Sequence, residues 1–433
     1  MLDIRWIREN AALVQEAAVR KKLDVSVAEL LEWDERRRKL LQECEDLRRQ
    51  RNEGSRKVAE AAKAGNTPLA DQMKMSLKPI NGRLDRLTVE LEEAEDQFNR
   101  LMLLVPNVPS PDTPPGKDDS DNVELRRVGE LPVWNFDPKD HVELGVMHQM
   151  IDIPRGVKVA GSRSYYLKGP GLLLHRAVQQ LALDLLLDAG FTPLEVPLLV
   201  RGEQMTNTGF FPTGKEQAYS VNDEEFWLAG TSEVPLIAYY GDEIVDAAVP
   251  VKLAAVSTCF RNEVGSAGRD VRGLYRVHQF SKVEMVIICA PDPVLSESLH
   301  QEITGYAEQL LRLLELPYRV MAVCAGDMSQ KTYKQYDIET WMPSRDAYGE
   351  THSSSNLHSF QARRSNIRCR DGEGRLVHCH TLNNTAVASP RILIPLLENH
   401  QREDGSIHIP EALRKYLGGR ESLVPGLVES LAD

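Results

Sequence analysis

Apolar residues spaced alternately three and four apart dominate the first quarter of the chain. The clearest run comprises Leu77, Ile80, Leu84, Leu87, Leu91, Ala94, Phe98, Leu101 and Val105. A weaker run precedes it and comprises Leu30, Trp33, Leu40, Cys44, Leu47, Val58 and Ala61. Spacing of this kind is typical of long helices that pack as a coiled coil.

The residues between the two runs predict a turn. In the stretch AGNTP, residues 64–68, Gly65 suits a helix C-terminus, Thr67 an N-cap and Pro68 the first turn of the next helix. The pattern therefore predicts an antiparallel hairpin of two long helices within residues 27–105, the first ending near residue 63.

Basic side chains are concentrated on the first of these helices. They include Arg36, Arg37, Arg48 and Arg51. In a generic coiled coil they would pair with the interspersed glutamates on a solvated face. They would also suit a surface that follows the phosphates of a nucleic acid. The helix alone does not decide between these two interpretations.

A proline-rich stretch separates the helical region from the rest of the chain. The prolines of VPNVPSPDTPPGKDDSD exclude regular helix or strand, which predicts a stiff linker over residues 106–122. Beyond it, helical patterns such as residues 172–190 alternate with β-rich stretches such as KVEMVIIC. The chain is therefore expected to hold an N-terminal helical domain (1–105), the linker, and a mixed α+β domain (123–433).

Composition narrows the class of protein. The 433 residues are 42% hydrophobic and 27% charged, with a formal net charge of −12, which is typical of a soluble globular protein and argues against DNA as a partner. No run of 18 apolar residues predicts a membrane span, and the first residues lack the apolar core of a signal peptide. The six cysteines form no CxxC pair, so reduced thiols and a cytoplasmic location are expected.

Two kinds of site are disfavoured by spacing. The string His378-Cys379-His380 lies near Cys369, but in a strand Cys379 would face away from both histidines, so a zinc site is disfavoured. The chain also contains neither GxGxxG nor GxxxxGK[ST], so no Rossmann or P-loop nucleotide site is predicted.

The most informative stretch is FRNEVGSAGRDVRGLYRVHQFSKVE, residues 260–284. Arg261 and Glu263 share one face of a strand, and Phe280, Lys282 and Glu284 share one face of the next. The intervening glycines predict an antiparallel pair with an apolar face and a charged face. A charged face is often solvated and crossed by salt bridges. An aromatic ring among four charges favours a site for a nucleotide and a small zwitterion instead.

Three further segments supply matching groups. GTSE places Glu233 beside two hydroxyls, and YGETHSSSN places Glu350 three residues before Ser353, oxygen ligands that suit Mg²⁺ if this is not a surface loop. In LNNTAVASPRIL, Asn383, Thr385 and Arg391 precede a helix predicted to start near Pro390, and a helix N-terminus beside an arginine suits an anion.

Taken in order, these motifs resemble a known family over nearly the whole chain. FRNE…GSAGRD…RG…RVHQFSKVE resembles the class II motif 2 in its seryl form. The segment LLLHRAVQQLALDLLLDAGFTPLEVP resembles motif 1, and TAVASPRILIPLLENHQ resembles motif 3. The chain is similar to seryl-tRNA synthetases of the bacterial type. The resemblance implies an α+β fold in which a long coiled-coil arm precedes an antiparallel-sheet catalytic domain, and a homodimer formed through motif 1.

The resemblance also implies a reaction and residue roles. L-Serine and ATP would form seryl-adenylate, and serine would pass to the 3′ end of tRNA(Ser), with tRNA(Sec) left open. Arg261 and Arg391 would be catalytic. Serine would be bound by Thr231, Glu233, Arg261, Glu284, Asn383 and Thr385. ATP would be bound by Arg261, Glu263, Phe280, Glu350, Thr351, His352, Ser353 and Arg391. Glu350 and Ser353 would hold Mg²⁺, and Arg36, Arg37, Arg48 and Arg51 would contact tRNA.

Some positions depart from the family pattern. Thr351-His352 stands where Ile-Ser is usual, and Asn384 stands where glycine is usual. These changes leave open a divergent second copy with altered inhibitor sensitivity or a specialised pathway role. A ligase that loads a carrier protein would lack the arm. A non-catalytic tRNA-binding paralogue would have lost Arg261, Glu263, Glu284 or Arg391, and all four are present.

Overall fold

A computed structural model describes residues 1–264 and 272–426, and the chain divides into two compact units. One unit is Asp3–Pro106. The other combines Met1–Leu2 with Asn107–Asp433. Most of the predicted motif 2 loop, GSAGRD, lies outside the described residues.

The first unit is helical. Its helices are α1 (Ile4–Glu9), α2 (Ala11–Arg20), α3 (Val27–Lys63) and α4 (Thr67–Leu104). At about 1.5 Å per residue, the 37 residues of α3 extend for about 55 Å. Leu40 and Cys44 of α3 pack against Leu84, Leu87 and Leu91 of α4, so the predicted helical hairpin is confirmed.

The turn between the two long helices differs from the prediction by one residue. Gly65 follows α3 with a φ of +74°, a left-handed conformation that glycine adopts without strain. The N-cap of α4 is Asn66 rather than Thr67, because the Asn66 side chain accepts a hydrogen bond from the Leu69 N–H. Thr67 is the first helical residue instead.

A buried carboxylate holds part of the basic row in place. Asp34 of α3 is fully buried, and its oxygens accept hydrogen bonds from Arg8, Arg37 and Arg38 at 2.7–3.2 Å. The Arg37 guanidinium also stacks 4.3 Å from the centre of the Phe98 ring. Arg37 is therefore committed to packing within this unit, whereas Arg36 and Arg48 are exposed.

The second unit is built around a sheet that is antiparallel apart from one pair of strands. Its helices are α5 (His141–Met147), α6 (Ile153–Ala160), α7 (Pro170–Asp188), α8 (Gly202–Asn207), α9 (Glu233–Ala238), α10 (Pro293–Leu313), α11 (Phe360–Arg364), α12 (Leu393–Asn399) and α13 (Glu411–Arg414). Its strands are β1 (Val123–Val128), β2 (Ile151–Asp152), β3 (Tyr166–Leu167), β4 (Thr192–Pro193), β5 (Leu199–Arg201), β6 (Tyr219–Val221), β7 (Phe226–Leu228), β8 (Val251–Phe260), β9 (Gln279–Cys289), β10 (Tyr318–Ala322), β11 (Lys334–Met342), β12 (Ala347–His358), β13 (Arg368–Arg370), β14 (Leu376–His378), β15 (His380–Ser389), β16 (Ile407–His408) and β17 (Ser422–Leu423).

Among the described residues, the main sheet has the strand order β1-β10-β11-β12-β15-β9-β8-β4. All neighbouring strands are antiparallel except β4 and β8. The predicted pairing of β8 with β9 is present, with Cys259 opposite Phe280 and Ala255 opposite Glu284. The α+β class with an antiparallel catalytic sheet is therefore confirmed.

Alternation along β9 assigns the two faces of the sheet. Val283, Met285 and Ile287 belong to the large core formed with α7 and α10, and we call this side the back of the sheet. The other face, the front, carries Val286 and Ile288, which pack in a second apolar cluster with α9. Lys282 and Glu284 continue this front face toward the start of β9.

The proline-rich segment is not a free spacer. The backbone N–H groups of Asn107 and Ser110 donate to the carbonyls of Gln330 and Tyr333 at 2.9 and 2.8 Å. The Asn107 side chain donates to the carbonyls of Lys331 and Leu357. These bonds hold the start of the segment against the loop before β11 and against β12. Among the described residues, no helix is long and apolar enough to cross a membrane.

Candidate active site

A cavity of about 280 Å³ lies on the front face of the sheet. It brings together nearly every residue predicted to contact serine or ATP: Thr231, Glu233, Arg261, Glu263, Phe280, Glu284, Glu350, Thr351, Ser353, Asn383, Thr385 and Arg391. These residues come from the three strands β9, β12 and β15, the start of α9, and the loops that follow β8 and β15. Only the sheet order places them side by side.

One end of the cavity is built on buried carboxylates. Glu233, the first residue of α9, is 4% exposed. Its Oε1 atom accepts hydrogen bonds from Lys331 Nζ at 2.6 Å, Gln361 Nε2 at 2.6 Å and Asn383 Nδ2 at 2.9 Å. The Thr231 hydroxyl accepts from the backbone N–H of Glu233, which fixes the turn that begins α9.

A second carboxylate lies in the same end of the cavity. Glu284 on β9 is 2% exposed, and its Oε2 atom lies 2.7 Å from Lys282 Nζ. Burial raises the pKa of Glu284, with the charge of Glu233 adding to the shift and Lys282 opposing it. Thr385 lies opposite Glu284 on β15, so both can contact one small ligand. This end therefore suits a compact group with an amine and a hydroxyl.

The other end of the cavity carries aromatic and cationic groups. The Arg261 guanidinium lies 5.3 Å from the centre of the Phe280 ring, and its Nε donates to the Gly230 carbonyl at 3.3 Å. Glu263 pairs with Arg276 at 3.4 Å and has a φ of +53°. A flat base can stack against Phe280 while Arg261 faces a phosphate.

Arg391 closes this end from the opposite side. Its guanidinium stacks 4.4 Å from the centre of the Tyr275 ring and donates to the carbonyls of Tyr275 and Glu350 at 3.1 Å. The helix predicted near Pro390 begins instead at Leu393 and is seven residues long. A helix this short adds little, so the affinity of this position for anions rests on Arg391 itself.

A β-bulge explains how Glu350 and Ser353 reach the same cavity. Residues three apart on a regular strand point to opposite faces. The register between β11 and β12 shifts between the pairs Ile338–His352 and Glu339–Glu350, which leaves Thr351 as the extra residue. The bulge turns Glu350 back toward the front face, so that both predicted magnesium ligands line the cavity.

The groups around this bulge suit a divalent cation. Burial raises the pKa of Asp337 to about 8, and the charge of Glu350 contributes. Burial also raises the pKa of Asp327, with the charges of Asp119 and Glu350 adding to it. No three His, Cys, Asp or Glu side chains of the described residues form a ready metal centre. Mg²⁺ in nucleotide sites usually takes one or two protein oxygens and phosphate oxygens, which matches Glu350 and Ser353.

His352 does not line the cavity, which contradicts its predicted contact with ATP. Its side chain is 1% exposed, and its Nδ1 atom lies 2.8 Å from the Thr351 hydroxyl. The bulge keeps Glu350 and Ser353 on the front face, so that His352 between them points to the back. Burial lowers the pKa of His352 to about 4. Asn384 also faces the back, where its side chain donates to the Ile303 carbonyl of α10.

Several residues of the cavity carried no sequence signal that predicted them. Lys331 and Gln361 contact Glu233, and Tyr275 supports Arg391. Lys331 and Tyr275 lie in irregular segments, and Gln361 is on the short helix α11. Lys282, by contrast, shares the alternation of Phe280 and Glu284, which already predicts it on the charged face of the strand pair.

Comparison with known proteins assigns the class. The model of the tRNA synthetase class II core domain (G, H, P, S and T) matches residues 217–400. The model of the seryl-tRNA synthetase N-terminal domain matches residues 1–109. The main sheet and its cavity are thus those of a class II aminoacyl-tRNA synthetase.

Full-length relatives identify the family. The serine–tRNA ligase of Deinococcus radiodurans is 46% identical over 98% of this chain and 99% of its own length. That of Rubrobacter xylanophilus is 43% identical over the same shares. The crystal structure of seryl-tRNA synthetase from Pyrococcus horikoshii complexed with ATP is 37% identical, with a TM-score of 0.88 over 98% of this chain and 100% of that one. The chain therefore belongs to the seryl-tRNA synthetase family.

The burial of His352 predicts a specific pH dependence of stability. Its folded pKa of about 4 lies below the ordinary 6.5, so between these values the unfolded chain takes up a proton that the folded chain does not. The contribution of His352 to the free energy of unfolding is therefore fully present above pH 6.5. It is lost as the pH falls toward 4. In His352→Gln, the free energy of unfolding from urea titrations should fall less steeply in this range, by about 1.4 kcal/mol per pH unit.

The KM for ATP should not change in the same variant, because residue 352 faces away from the cavity. An unchanged pH slope would show that the pKa of His352 is not lowered in the folded chain. A large rise in the KM for ATP would show that its side chain faces the nucleotide.

Proposed function

We propose that the cavity activates L-serine with ATP to form seryl-adenylate, and that the chain then transfers serine to the 3′ end of tRNA(Ser). The observation that carries this proposal is the division of one cavity. Glu233, Glu284 and Thr385 offer acceptors for an amine and a hydroxyl at one end. Arg261, Phe280 and Arg391 offer a stacking surface and two guanidinium groups at the other.

The first step needs no nucleophile from the protein. An oxygen of the serine carboxylate forms a bond to the α-phosphorus of ATP, and the bond from that phosphorus to the bridging oxygen of pyrophosphate breaks. Arg261 is placed to hold the carboxylate and the α-phosphate together. Its charge also offsets the charge that develops on the phosphate. Catalysis then consists of positioning and of electrostatic stabilisation.

The remaining groups hold the two substrates. Glu263 accepts from the adenine amino group, Phe280 and Arg391 enclose the ring, and Arg391 reaches the γ-phosphate. Thr231 and Glu233 bind the serine ammonium, while Glu284 and Thr385 bind its hydroxyl, with Asn383 supporting Glu233. Glu350 and Ser353 would hold Mg²⁺, which neutralises phosphate charge when bound.

The second step transfers serine to tRNA. A ribose hydroxyl at the 3′ end attacks the carbonyl carbon of the adenylate, and AMP leaves. The exposed row on α3, with Arg36, Arg48 and the half-buried Arg51, is proposed to contact the phosphates of tRNA(Ser). Arg37 is expected to contribute less to tRNA binding, because its side chain is already engaged by Asp34 and Phe98.

We further propose a homodimer formed through α7. Leu172 and Leu187 on this helix are each 43% exposed, and apolar side chains on an accessible helix suit a subunit interface. The six cysteines are all free, which supports a cytoplasmic location.

Substitution of Arg261 tests the activation step. Arg261→Ala should lower serine-dependent ATP–pyrophosphate exchange at least about 100-fold, because the guanidinium group proposed to hold both reacting partners is lost and a methyl group cannot replace it. Arg261→Lys keeps the charge but loses the planar fork, so it should restore little of the activity. Thermal melting checks that both variants fold. Near-normal exchange in a folded Arg261→Ala variant would refute the site.

A second substitution tests the arm. Replacing Arg36, Arg48 and Arg51 together with alanine should raise the KM for tRNA(Ser) about tenfold or more and leave pyrophosphate exchange unchanged, because three phosphate contacts are lost. The matched control replaces Arg370, Arg375 and Arg402, which are exposed on the catalytic unit, and removes the same charge. Equal effects in the two variants would mean that general charge, not the arm, binds tRNA.

A further inference from the structure

Lys331 is a buried lysine that the activation step described above does not use. It lies in the loop before β11, and its side chain is only 11% exposed. Its Nζ atom is 2.6 Å from Glu233 Oε1 and 4.0 Å from the centre of the Phe210 ring. The Asn107 side chain holds its backbone carbonyl at 3.1 Å. The loop is therefore fixed, and the ammonium group is aimed at one carboxylate oxygen.

The contacts of Glu233 are divided unequally between its two oxygens. Lys331, Gln361 and Asn383 all donate to Oε1. No described residue donates to Oε2, and Glu233 lines the cavity. Gln361 is itself fixed, because its Nε2 also donates to the Thr208 carbonyl and its Oε1 accepts from the Thr381 hydroxyl. The carboxylate is thus held by one oxygen, and the other is left for a ligand.

Charge balance explains why a lysine stands here. Glu233 and Glu284 are two buried carboxylates that line the same cavity. Burial raises the pKa of Glu284, and the charge of Glu233 adds to that rise. Lys282 neutralises Glu284 at 2.7 Å, and Lys331 neutralises Glu233 at 2.6 Å. Burial lowers the pKa of Lys331, and the charges of Glu233 and Glu284 oppose this. A neutral side chain at position 331 would leave two buried carboxylates facing a single lysine.

We propose that Lys331 is a positioning residue for the amino group of the substrate. It holds Glu233 Oε1 so that Oε2 faces the α-ammonium group, and it keeps that carboxylate charged beside Glu284. Lys331 thereby gives the cavity its preference for an amino acid over the hydroxy acid that lacks the amine. This inference rests on the proposed function, because it assumes that serine occupies the carboxylate end of the cavity.

Binding of two inert adenylate analogues tests the inference without catalysis. One is 5′-O-(N-seryl)sulfamoyladenosine, and the other is its 3-hydroxypropanoyl counterpart, which keeps the hydroxyl but lacks the amine. Isothermal titration calorimetry measures the affinity for each analogue. The ratio of the two affinities gives the contribution of the ammonium group. In Lys331→Met, which keeps contact with Phe210, this added affinity should fall about tenfold or more. The affinity for the analogue without the amine should stay within about twofold.

Two further variants sharpen the result. Lys331→Gln restores a hydrogen-bond donor without a charge, so it should recover part of the lost affinity. It also serves as the test variant if Lys331→Met does not fold. Lys334→Met removes a nearby lysine that pairs with Asp112 at 2.6 Å and Glu297 at 3.1 Å and does not line the cavity. It should leave both affinities unchanged.

The outcomes separate this inference from the proposed function. If the native chain does not bind the seryl analogue, the proposed function fails. If the native chain binds it and Lys331→Met keeps the full contribution of the amine, only the role of Lys331 is refuted. Tighter binding of the seryl analogue by Lys331→Met would also refute that role, because it would show that Lys331 competes with the substrate amine.

Discussion

Two buried ion pairs, Lys331 with Glu233 and Lys282 with Glu284, set what this cavity can bind. A carboxylate without a partner in a buried position would take up a proton, and a neutral acid is a poor acceptor for an ammonium group. The pairs are assembled from α9, β9 and the loop before β11, so they depend on the order of strands in the sheet. The large core behind the sheet fixes that order, since α7 and α10 pack against the back of β9.

The sheet selects functional side chains through its register. On β9, alternation sends Val283 and Met285 to the core and Lys282 and Glu284 to the cavity, so that one strand serves both stability and chemistry. On β12, the same rule would separate Glu350 from Ser353, and the bulge at Thr351 reverses it locally. That bulge also sends His352 to the back of the sheet, away from the cavity. A single extra residue thus decides which oxygens line the cavity, including the two that we propose as Mg²⁺ ligands.

Sequence patterns reveal these features unequally. Alternation is strict on β9, so Phe280 and Glu284 could be assigned to one site before any coordinates, and heptad spacing predicts the helical hairpin equally directly. Lys331 and Gln361 have no such pattern, because their positions depend on contacts distant in the sequence. The bulge at Thr351 could not be foreseen, since nothing local distinguishes it from a regular strand. Asn66 and Thr67 can both cap a helix, so that boundary differed by one residue. The prolines of residues 106–122 disfavour regular structure but do not show that Asn107 forms hydrogen bonds with the loop before β11.

The central claim is that Glu284 reads the hydroxyl of serine, and discrimination against alanine tests it most directly. Glu284→Gln keeps the shape of the side chain and loses its charge, and hydrogen bonds to charged groups contribute about 1.5–3 kcal/mol. Pyrophosphate exchange with each amino acid should therefore show the serine-to-alanine ratio of kcat/KM falling about tenfold or more, with the KM for ATP unchanged. An unchanged ratio in a folded variant would contradict the account and would place recognition of the hydroxyl elsewhere in the cavity.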